Sequence, residues 1–163
     1  MLPLDSPRWS ELDTFFGKPE NLPNVIGEWV ASIGFDQEAR NYNELYQLFL
    51  HQVTTTNAAY AVVPWMAEHL SRGQKEDQAS YLSDIATVEF LRLTCGLHSL
   101  REGGEAEPTF VMTDYHDAIG RAQVMAEDIL DEELHEEIRQ ALWRVMPALL
   151  GNATVAMQRM NRE

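Results

Sequence analysis

Apolar positions recur along the chain at helical spacing, and turn residues punctuate them at short intervals. Ser6-Pro7 supplies a capping hydroxyl and a proline suited to a first helical position, ahead of Trp9, Leu12, Phe15, Phe16 and a closing Gly17. After Asn21–Pro23 a second face runs through Val25, Ile26, Trp29, Val30 and Ile33 to Gly34. Asn43 precedes a third, through Leu45, Tyr46, Leu48, Phe49 and Leu50. Residues 54–70 predict a fourth helix, rich in alanine and bent or restarted at Pro64, since an interior proline removes a backbone donor. A polar turn at residues 72–77 leads to a long helix over residues 81–100.

The second half follows the same rule. Gly103, Gly104 and Pro108 make residues 101–113 the clearest loop. Asp114 then caps a sixth helix, with Ile119, Ala122, Ala126 and Ile129 on one face. Asp131 caps a seventh, with Leu134, Ile138, Leu142, Val145 and Leu149. Pro147 and Gly151 end it, and a short tail helix continues through Met157. No run alternates apolar and polar residues, and no Asn-Gly or Asp-Gly turn occurs, so strands are not expected. Thr54-Thr55-Thr56 is β-prone, but Asn57-Ala58-Ala59 after it favours a helix start. The expectation is one all-α domain over residues 1–163.

An internal echo refines the architecture. Tyr60-Ala-Val-Val-Pro64-Trp-Met and Trp143-Arg-Val-Met-Pro147-Ala-Leu share an aromatic, apolar positions and a proline at an offset of 83 residues. That offset is close to twice a helical repeat of about 40 to 47 residues. A short α-solenoid of HEAT or armadillo type is therefore expected, with an irregular helical bundle as the alternative.

Composition leaves this picture unchanged, because 45% apolar and 23% charged residues are ordinary for a globular chain. Charge alters it. Twelve basic residues face 26 acidic ones, a net −14. Residues 102–137 alone hold twelve carboxylates against Arg121. Such a surface repels phosphate backbones and anionic lipid, so nucleic-acid and membrane roles are not expected, while a basic protein partner is. The acidic partner face would comprise Glu127, Asp128, Asp131, Glu132, Glu133, Glu136 and Glu137. Cys95 is the single cysteine, in an apolar helical setting that suits inert packing. The opening residues lack a basic stretch followed by an apolar core, and the longest apolar run has ten residues and contains Pro64. A cytoplasmic protein is expected.

Chemistry-bearing patterns are few. Glu132-Glu-Leu-His135 has the Glu-x-x-His spacing of di-iron bundles, but its companion motif is missing from the chain, so no metal and no cofactor are expected. There is no nucleophile elbow, phosphate loop or zinc-protease motif. The polar segment from His51 to Asn57, lodged between apolar stretches, either caps the next helix or lines a notch. In the second case His51, Gln52, Thr55, Asn57 and Tyr60 would present donors and acceptors to a ligand.

Asn43-Glu-Leu-Tyr-Gln-Leu-Phe-Leu-His51-Gln52, then Asn57-Ala-Ala-Tyr60-Ala-Val-Val-Pro64, resembles a group of uncharacterised bacterial helical-repeat proteins. Those carry Leu-Cys-His-Gln-Gly followed by Ala-Ser-Tyr-Ala-Ala-Val-Pro-His-Leu, and Leu4-Asp-Ser-Pro-Arg-Trp9 resembles their opening. The likeness covers about residues 4–70. Leu50, Val53 and Trp65 stand where that group has cysteine, glycine and histidine, whereas His51, Gln52, Tyr60 and Pro64 carry over. The resemblance implies a HEAT-like fold and no particular activity. The functional expectation is a non-enzymatic interaction module, possible as an immunity-type protein or a homodimer. The alternative is a ligand-binding protein or enzyme using the His51–Tyr60 notch.

Overall fold

The computed structural model describes residues 1–51, 54–94, 107–130 and 134–161. These are mostly helical, as the periodicity predicts. Helix α1 is Leu22–Ser32, α2 Glu38–Phe49, α3 Ala59–His69, α4 Lys75–Thr94, α5 Thr109–Leu130, α6 Glu136–Leu149 and α7 Ala153–Met160. One apolar core runs from Leu2 to Ala156 and draws on all seven.

The first predicted helix does not form beyond one 3-10 turn, Pro7–Glu11, although Ser6 caps it through Arg8 N as expected. Tertiary bonds take the amides that a longer helix would use. Asp13 N donates to Asn57 Oδ1 at 2.7 Å, and Phe15 N donates to Leu48 O at 3.0 Å. Trp9 and Leu12 are thereby pinned in the core while Phe16 stays exposed.

Helix α1 buries Leu22, Ile26 and Trp29 at spacings of four and three, and Gly34 closes it with φ 85°. Helix α2 begins five residues before Asn43. The early turn is held by Glu38, a buried carboxylate that accepts from Gly34 N and from the Tyr81 hydroxyl, each at 2.6 Å. A charged residue in a buried role is invisible to hydrophobic periodicity.

Two short strands also correct the strand-free expectation. β1 (Leu50–His51) pairs antiparallel with β2 (Thr54–Thr55), Leu50 opposite Thr55 and His51 opposite Thr54. Thr54 donates its hydroxyl to His51 O, and Thr55 donates to Phe49 O at 2.7 Å. Thr56 N reaches Phe49 O at 3.1 Å. With those threonines committed to the hairpin, α3 starts only at Ala59. Its residues 59–64 are all buried, which makes it the central helix, and it runs unbroken through Pro64.

Helix α4 starts six residues before Tyr81. Its apolar residues Ala79, Leu82, Ile85, Ala86 and Val88 are fully buried. Cys95 and the Gly103-Gly104 loop lie outside the described residues. Helix α5 begins at Thr109, so Asp114 is not its cap; it sits inside the helix and pairs with the Met1 amino group at 2.6 Å. Asp131 lies outside the described residues, and His135 occupies the cap position of α6. Gly151, with φ 79°, ends α6, and Asn152 caps α7 by accepting from Val155 N.

Helix α1 packs on α2, α3 mainly on α5, α4 mainly on α6, and α6 on α7. Helix α4 also touches α3 and α5. The two proline heptamers occupy unlike settings: Tyr60 is fully buried, whereas Trp143 is 45% exposed. Among the described residues no helix is long and apolar enough to cross a membrane.

Candidate functional site

The polar segment from His51 to Asn57, expected either to cap the next helix or to line a notch, forms the hairpin, and α3 is preceded by Ala58 with no side-chain cap. His51 Nδ1 lies 2.9 Å from Gln47 Oε1, and the ring packs edge-on to Phe16 with centroids 5.1 Å apart. Thr55 and Asn57 spend hydrogen-bonding capacity on the backbone of Phe49 and Asp13. Gln52 lies outside the described residues. Thr56 Oγ1 is buried and makes no hydrogen bond.

Tyr60 belongs to a different cluster. Its hydroxyl donates to Glu107 Oε1 at 3.3 Å, and its ring meets Tyr115 edge-on, with centroids 4.9 Å apart. Tyr115 donates to Glu89 Oε2 at 2.8 Å. Arg92 grips Glu89 with two bonds of 2.7 and 2.8 Å and lies 3.8 Å from Glu107. Burial first, then the neighbouring carboxylates, hold both tyrosines well above their ordinary titration range. They stay protonated donors at neutral pH, so the cluster ties α3, α4 and α5 together without supplying a phenolate base.

A second buried cluster joins α1, α2 and α4. Trp29 Nε1 donates to the Tyr81 hydroxyl at 3.2 Å, and Tyr81 in turn donates to Glu38. Beside them Tyr42 donates to Asp84 Oδ2 at 2.6 Å. Burial pushes the Asp84 carboxyl up to about 7 against the opposing effect of that bond.

The acidic residues behave differently. Glu127, Asp128, Glu136 and Glu137 are all exposed where α5 ends and α6 begins. Glu136 is partly neutralised by Arg139 and accepts from Gln140 at 2.9 Å. Asp131, Glu132 and Glu133 lie outside the described residues. Among the described residues no three His, Cys, Asp or Glu side chains are placed to hold a metal, and His135 instead lies 3.3 Å from Glu76.

Helices α6 and α7 frame an open groove of about 590 Å³. Met146, Pro147, Leu150 and Val155 line its apolar part. Arg139, Trp143 and Arg159 line it too, and Arg144 joins them in an adjoining recess. Arg159 Nη1 donates to Trp143 O at 2.6 Å, and its guanidinium lies 4.5 Å from the Trp143 ring centre.

The chain matches no family model, no curated protein and no solved structure. Its surfaces therefore carry the functional reading. The groove escaped the sequence reading because Trp143 entered it only as the aromatic of the second proline heptamer. The available signal was its register: Ile138, Leu142, Val145 and Leu149 define the inner face of α6, and Trp143 falls off that face between Arg139 and Arg144.

Proposed function

We propose that the chain is a non-enzymatic protein-interaction module, a short HEAT-like stack of helix pairs that offers an acidic face to a basic partner. The stacked-pair architecture is supported by the packing of α3 on α5 and α4 on α6, since each helix in such a stack meets the one two places on. The resemblance of residues 4–70 to bacterial helical-repeat proteins points the same way. The observation that carries the functional reading is the exposure of Glu127, Asp128, Glu136 and Glu137 within residues 102–137, a segment with a net charge of −11. Like charges so concentrated cost self-repulsion that a cationic partner relieves, and they speed its approach. A cationic toxin neutralised by an immunity-type protein is the concrete form of such a partner. The notch at His51–Tyr60 has less support, because Thr55 and Asn57 already serve the backbone and Tyr60 faces Glu107.

The test is affinity capture with the immobilised chain, followed by binding measurements on the captured protein. A basic partner is expected, losing at least about tenfold in affinity between low salt and about 0.5 M salt. Glu127→Gln with Asp128→Asn and Glu137→Gln should weaken the same binding. A captured partner that is acidic, or whose binding ignores salt, would sink the reading.

A further inference from the structure

The groove between α6 and α7 lies in a stretch of chain whose net charge is opposite in sign to that of the whole. From residue 138 onward the chain carries four arginines and one glutamate, in a protein whose net charge is −14. Arg139, Arg144 and Arg159 border the groove and its adjoining recess. Two of its apolar side chains are open to solvent, Trp143 at 45% and Leu150 at 63% exposed, above a floor in which Met146 and Pro147 are buried. Met157, on α7, is also exposed. Tryptophan and arginine are the residues that most often dominate binding energy at interfaces.

We propose that this groove docks an acidic amphipathic helix of a partner protein, its apolar face on Trp143, Leu150 and Val155 and its carboxylates on the arginines. The open shape suits a helix laid along it, a common mode in which apolar anchors at spacings of three and four enter a hydrophobic groove. Charge selects the sign of the occupant. Arg139 is shared with Glu136, and Arg159 is steered over the groove by its bond to Trp143 O. Arginine carries five N–H donors, so a guanidinium holding one carbonyl retains donors for a carboxylate. A second copy of the chain placing the same groove on this one would bring like-charged rims together, which argues against a symmetric dimer here. The groove adjoins the acidic residues, since Glu136 lines its recess beside Arg139, and the Arg159→Glu and Trp143→Ala variants, which leave those acids untouched, keep its test distinct from that reading.

Two synthetic peptides with one leucine face, one flanked by glutamates and the other by lysines, serve as probes in fluorescence anisotropy with the full chain. The glutamate peptide is expected to bind at least about tenfold more tightly than the lysine peptide. Arg139→Glu and Arg159→Glu should each abolish that preference, while Arg40→Glu, an equal charge change on α2, should leave it intact. Trp143→Ala should weaken the glutamate peptide by about tenfold or more. Thermal melts identify any variant that fails to fold, and Arg139→Glu keeps the test decisive if the loss of Arg159 perturbs α7. Equal binding of both peptides, or binding of neither, overturns the proposal. So does concentration-dependent sedimentation abolished by Trp143→Glu, which would assign the groove to a second copy.

Discussion

At the scale of single residues, the buried polar groups show how the core tolerates charge. Burial pushes the Asp84 carboxyl from its ordinary 3.8 up to about 7, so the folded state binds its proton more tightly than the unfolded state does. Stability from this group is fully present below about pH 4 and is lost as pH rises through 7. Asp84→Asn keeps an acceptor for the Tyr42 hydroxyl and removes the charge. The variant is expected to be more stable than the natural chain at pH 8, by on the order of 2 kcal/mol, with the gain vanishing near pH 4. Urea unfolding at the two pH values measures this. An equal effect at both would mean that Asp84 is ionised throughout. Glu89 presents the opposite case, because Arg92 and Tyr115 satisfy its charge. Removing it in Glu89→Ala leaves a partly buried guanidinium with, among the described residues, only the carboxylate of Glu107 at 3.8 Å, at a cost of about 3 kcal/mol or more. Tyr115→Phe, which deletes one hydroxyl, should cost about 1 kcal/mol. Comparable losses in the two variants would show that the arginine finds other partners.

At the scale of elements, turns decide where helices begin and end. Gly151 adopts φ 79°, a conformation that side chains resist, and no atom crowds its position. Gly151→Ala therefore tests backbone strain alone, and a loss of about 1 kcal/mol is expected in denaturant unfolding. No loss would mean that the turn between α6 and α7 relaxes freely. Helix identity was legible from the sequence wherever apolar spacing was sustained, as in Leu22, Ile26 and Trp29 or in Leu142, Val145 and Leu149. It was illegible where polar atoms set the boundary. The early start of α2 depends on the carboxylate of Glu38, and the hairpin depends on threonine hydroxyls bonding carbonyls several residues away. The first helix stopped short because Asn57, 44 residues distant, captured the amide of Asp13. Such bonds join positions that no local window compares. The candidate surfaces divide in the same way. The exposed acids were legible as charge, whereas the groove needed α7 placed beside the off-face Trp143.

At the scale of the whole molecule, charge is separated along the chain rather than spread. Residues 102–137 hold a net −11, and residues from 138 onward hold a net +3 from four arginines and one glutamate. Glu127 and Asp128 near the end of α5 and Glu136 and Glu137 at the start of α6 are exposed, and Arg139 offsets Glu136; like charges so dense along the chain repel one another. Ions at about 0.15 M screen charges over roughly 8 Å, so added salt should relieve this repulsion. The melting temperature is expected to rise with salt in the natural chain. Glu127→Gln with Asp128→Asn and Glu137→Gln should melt about 2–4 °C higher in low salt, a gain on the order of 1 kcal/mol, and should respond less to added salt. Glu11→Gln, compared per charge removed, is the control, because Glu11 is held by Arg8 through two bonds of 3.1 Å and its charge is compensated locally. If Glu11→Gln raises the melting temperature as much per charge as neutralising these acids does, the destabilising field belongs to the net charge of the chain. If only the triple variant responds, the repulsion is local, and that acidic stretch is where a cationic partner would gain most by binding.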